Sequence, residues 1–74
     1  MSRLPSLRPR EVLRGLEKAG FVINRVRGSH YQLLNPQTGR RVTVPFHTGD
    51  LSRATVTSII QQAGLTAEAF LKLM

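Results

Sequence analysis

The segment from Phe21 to Pro45 limits the fold more than any other part of the chain. It contains three short runs of strand-like sequence, bounded by glycine and proline, in which side chains alternate between two faces. Phe21 to Val26, rich in aromatic and β-branched residues, is predicted as the first strand. Arg27-Gly28 supplies a turn, and Ser29 to Leu34 is predicted as the second strand. Asn35-Pro36-Gln37-Thr38-Gly39 reads as a five-residue hairpin loop. Arg40 to Val44 follows as the third strand, with Val42 and Val44 on one face and Arg41 and Thr43 on the other. Pro45 has no N–H to give to a ladder and marks its end. Connections this short join antiparallel strands, so the segment is a meander.

Helical periodicity flanks it. Val12, Leu13, Leu16 and Ala19 recur at the spacing of one helix face, so a helix is predicted from Pro9 to Ala19, with Gly20 as its left-handed terminator. Arg8 falls at the N-cap although its side chain has no acceptor, which places the start within a residue or two of Pro9. Residues Met1 to Leu7 are read as an extended lead-in. A second helix is predicted from Leu51 to Ala63, capped near Ser52, with Val56, Ile59, Ile60 and Ala63 inward. Thr66 caps a short last helix, Ala67 to Leu73, whose Phe70 and Leu71 dock on the core. The expected architecture is α+β, with the order α-β-β-β-α, a three-stranded antiparallel sheet and the helices on one face. If Tyr31, Leu33, Val42 and Val44 face the helices, then His30, Gln32, Arg41 and Thr43 share the open face. A one-residue slip of register would invert that assignment.

The chain has 74 residues, one domain's worth, and no cysteine to staple it through disulfides or a thiolate metal site. Its two histidines lack a paired ligand spacing, and no metal or other cofactor is expected. Eleven Lys and Arg against four Asp and Glu give a net charge of +7. Between Lys18 and Asp50 there is no acidic residue, while Arg25, Arg27, Arg40 and Arg41 all fall there. Guanidinium forks suit phosphate oxygens, so a polyanion such as nucleic acid is the simplest partner. The cations lie on strands and turns rather than along one helix face, which argues against a membrane surface. There is no apolar run of spanning length and no signal-peptide core after Met1, so a cytoplasmic protein is expected.

Within this basic segment, His30 opens a strand a few residues from Arg25, Arg27 and Ser29. An imidazole exchanges protons near neutrality, and neighbouring guanidinium groups stabilise phosphorane charge. A strand histidine is also an ordinary surface residue. Gly28 serves the turn; Ser29 either orients a phosphate or bonds the turn backbone. His47, after Pro45, is either a second proton carrier or a loop residue that packs.

Taken together, Lys18-Ala19-Gly20-Phe21, Arg27-Gly28-Ser29-His30, Arg41-Val42-Thr43-Val44-Pro45 with His47, and Ile59-Ile60-Gln61-Gln62-Ala63-Gly64-Leu65 resemble the HicA toxin family, small RNA-cleaving toxins of toxin–antitoxin pairs. The resemblance runs from about Leu4 to Leu73. It implies a fold similar to the double-stranded-RNA-binding domain, and mRNA cleavage dependent on the motif histidine, here His30; attack by the ribose 2′-hydroxyl without a metal is the mechanism expected. It also implies a HicB-type antitoxin that covers the His30 face. One departure is that the family's second helix often opens Lys-Lys-Gly-Thr-Leu, whereas this chain has Ser52-Arg53-Ala54-Thr55-Val56, leaving Arg53 as the cation there. Two other readings compete: a non-catalytic double-stranded-RNA binder of the same fold, and a helix-turn-helix DNA binder built from the last two helices. In the latter the recognition helix would carry only Lys72 as a cation.

Overall fold

The structure is a computed structural model that describes residues 4–47 and 49–74. Met1, Ser2 and Arg3 of the expected lead-in lie outside the described residues. In chain order the elements are α1 (Pro9–Lys18), β1 (Val22–Arg27), β2 (His30–Leu34), β3 (Arg41–Pro45), α2 (Arg53–Gln62) and α3 (Ala67–Lys72).

Local chemistry explains most of the boundaries. Arg8 is the N-cap of α1 despite its side chain, because the Glu11 carboxylate accepts the Arg8 N–H at 3.0 Å and Pro9 needs no N–H partner. The helix closes with paired bonds, Phe21 N–H to the Leu16 carbonyl and Gly20 N–H to that of Glu17, which satisfy carbonyls the helix leaves orphaned. The same pairing ends α2, from Leu65 to Ile60 and from Gly64 to Gln61. Ser52 and Thr66 cap α2 and α3, their hydroxyls accepting from the N–H groups of Thr55 and Ala69. Helix α2 begins at Arg53 rather than Leu51 because Leu51 is drawn into an antiparallel bridge with Leu7 and buried there.

The sheet is antiparallel in the order β1-β2-β3. Its first hairpin turns on Gly28-Ser29, one residue later than the expected Arg27-Gly28, so that Arg27 ends β1 and His30 begins β2. Gly28 takes φ +57°, and a glycine at the first central position is what this kind of two-residue turn requires. The second hairpin is closed by Asn35, whose N–H donates to the Arg40 carbonyl at 2.9 Å and whose buried side-chain oxygen accepts the Gln37 N–H. That closure shifts β3 one residue on, to Arg41–Pro45.

Leu33, Val42 and Val44 are buried in one cluster with Val12 and Leu16 of α1, Val56, Ile59 and Ile60 of α2, and Phe70 of α3. All three helices therefore lie on one side of the sheet, in a double-stranded-RNA-binding-domain-like α-β-β-β-α arrangement extended by α3. Phe70 is fully enclosed, and Leu71 is partly buried against the same cluster. Helices α1 and α2 pack on β3. Strand β1, expected at Phe21 to Val26, runs Val22–Arg27 and is exposed along all six residues.

Candidate functional site

Directly opposed residues of an antiparallel pair share a face, with Cβ atoms about 4.5–5.5 Å apart. Burial of Leu33, Val42 and Val44 fixes the helix side, so the register assigns the open side row by row. Arg27, His30 and Pro45 form one row; Arg25, Gln32 and Thr43 form the next; Val22, Leu34 and Arg41 form the third. His30 is exposed and stands across from Arg27 beside the Gly28-Ser29 turn. The Ser29 carbonyl accepts the Phe46 N–H at 2.6 Å, which ties the turn to the end of β3 and fixes the corner of the sheet on which His30 stands.

The remaining cations separate. Arg25 lies one row from His30 on the same face. Arg41 lies opposite Leu34, four residues along β2 from His30, which is about 13 Å at strand spacing. Arg40 precedes β3 and reaches away from the open face. Its guanidinium donates to the Gln62 carbonyl at 3.4 Å and lies over Gly64 at the end of α2, a favourable place for a cation at a helix C-terminus. Two adjacent arginines thus have different environments.

His47 sits past the end of β3, on the wall of a concavity of about 710 Å³ between the start of α1 and the loop that follows β3. Arg8, Arg10, Glu11, Phe46 and Asp50 contribute to the same wall. Arg8 and Asp50 approach to 3.8 Å as a largely exposed ion pair, an interaction that water and salt weaken. The Phe46 ring stacks on Tyr31, centroids 4.4 Å apart, which turns Tyr31 to the helix side and leaves His30 to the other.

Residues 9–65 match the family described as HicA toxin of bacterial toxin–antitoxin systems. The chain belongs to the HicA toxin family. Its matched region takes in α1, the whole sheet, α2 and the closing turn of α2, and stops short of α3. A HicA toxin has an antitoxin as its partner. The chain has no significant match among curated proteins. Among the described residues no helix is long and apolar enough to cross a membrane, and no three His, Cys, Asp or Glu side chains gather in a way that could hold a metal ion.

In this HicA toxin the sequence reading missed the Tyr31–Phe46 stack and the concavity beside it. Phe46 follows Val42 and Val44 at a spacing of two residues, and that alternation, continued through Pro45, is the signal that would have placed it on the helix side.

Proposed function

We propose that this toxin is a metal-independent endoribonuclease that cleaves mRNA through His30, with a HicB-type antitoxin that covers the His30 face. The observation that carries the reading is the opposition of His30 and Arg27 on a solvent-facing, acid-free surface. As the ribose 2′-oxygen attacks the adjacent phosphorus, the imidazole of His30 takes its proton. The bond from phosphorus to the 5′-oxygen breaks, and the departing oxygen is protonated from water or from the imidazolium. Arg27 neutralises charge on the equatorial oxygens, and Arg25 and Arg41 hold the strand further along the face.

The chemistry fixes the products. Purified toxin incubated with mRNA in EDTA should yield fragments with 2′,3′-cyclic phosphate and 5′-hydroxyl ends. Fragments with 3′-hydroxyl and 5′-phosphate ends, or activity lost in EDTA and restored by Mg²⁺, would reject this route. RNA bound but left whole would point instead to a non-catalytic double-stranded-RNA binder.

The separated arginines give a second prediction. Arg27→Ala should weaken RNA binding and reduce the dependence of log K on log salt by about 0.7, one single-strand phosphate contact. Arg40→Ala should leave that slope unchanged and lower the melting temperature, because Arg40 braces the end of α2. Fluorescence anisotropy across a salt series, together with a thermal melt, reads both; equal slopes for the two variants would reject the assignment.

A further inference from the structure

Strand β1 is an outer edge of the sheet, and all six of its residues are exposed. Among the described residues, three of the four exposed large hydrophobic side chains are in this one strand: Val22 at 52%, Ile23 at 42% and Val26 at 51%. Folded domains usually mask such an edge. Ile23 is opposite Leu33 and Val26 opposite Tyr31, so both lie on the helix side as a ledge beyond the cover of α1 and α2. Arg25 and Arg27, opposite Gln32 and His30, lie on the other side. An irregularity between Ile23 and Arg25 allows Ile23 and Val26, three apart, to share a face.

We propose that β1 is the anchoring strand for the antitoxin, which adds an extended segment to this edge, its acidic side chains beside Arg25 and Arg27 and its apolar ones over Ile23 and Val26. The inference goes beyond the nuclease reading and rests on family membership for the existence of the antitoxin. Strand addition supplies main-chain hydrogen bonds along about 20 Å of edge, and alternate side chains supply specificity. The chemistry of this edge also argues against other occupants. Two copies paired through β1 about a two-fold axis would bring Arg25 and Arg27 of each into one cluster of like charges. An RNA strand would satisfy the arginines and leave the apolar ledge in water. A strand of alternating acidic and apolar residues matches both sides, and the chain's +7 charge favours an acidic partner.

The test uses as probe the HicB-type antitoxin proposed above, with Kd measured by calorimetry. Replacing Ile23 and Val26 together by Ser should raise Kd at least tenfold and leave RNA cleavage by the free toxin in place. Val26→Glu, which adds repulsion to an acidic segment, should raise it further. Lys72→Glu on α3, a larger charge change far from β1, should leave Kd unchanged. Antitoxin affinity unaltered by both β1 changes would overturn the proposal. So would a toxin dimer that dissociates on Val26→Glu, or a loss confined to RNA affinity. Wild-type toxin unable to cleave RNA would defeat the nuclease reading and leave the affinity comparison intact.

Discussion

Gly15→Ala should lower the melting temperature of this toxin, although alanine is the better helix former. A Cβ at Gly15 would lie 2.6 Å from Cε1 and 2.7 Å from Cζ of Phe70, well inside van der Waals contact. The Phe70 ring is fully enclosed. Overpacking of this kind costs about 1–3 kcal/mol, against a helix-propensity gain of about 1 kcal/mol. For Gly15→Val the propensity gain largely disappears, and a net loss of about 2–3 kcal/mol corresponds to a drop of roughly 8–24 °C in a domain this small. Gly28→Ala is the informative comparison. Nothing lies within 4 Å of its added Cβ, so only the left-handed φ is strained, at about 1–2 kcal/mol. Circular-dichroism melts of the two variants check this: a Gly15→Val melt that matches the wild type would show that α1 and α3 are not closely packed. Because α3 lies beyond the family match, the experiment also tests whether the added helix is integral to the core.

The fold was legible wherever a residue has one dominant local role. Gly20 and Gly64 end helices, Ser52 and Thr66 begin them, and alternation about Leu33, Val42 and Val44 divides the sheet into a helix side and an open side. What was not legible depends on contacts distant in sequence. Nothing local to Leu51 announces its bridge to Leu7, and that bridge delays α2 by two residues. With the expected turn at Arg27-Gly28, Arg27 would have stood in the turn itself; moving the turn to Gly28-Ser29 sets it opposite His30. Arg40 and Arg41 look equivalent in sequence, yet one braces α2 and the other lies on the open face. The exposure of β1 follows from where the helices stand, over β3, and no local pattern reports that.

His30→Ala should reduce RNA cleavage by roughly 10²–10⁴-fold, the usual worth of a positioned proton-transfer group. The side chain is exposed and contributes nothing to the buried cluster, so the variant should melt with the wild type and bind antitoxin with little change. That separation gives the substitution its value, because lost activity then reports chemistry rather than unfolding. The most direct measurement is the single-turnover cleavage rate of one defined mRNA by wild-type and His30→Ala toxin in EDTA, with matching thermal melts. A rate reduced at least a hundredfold at an unchanged melting temperature is the predicted result; cleavage by the folded variant at the wild-type rate would contradict it.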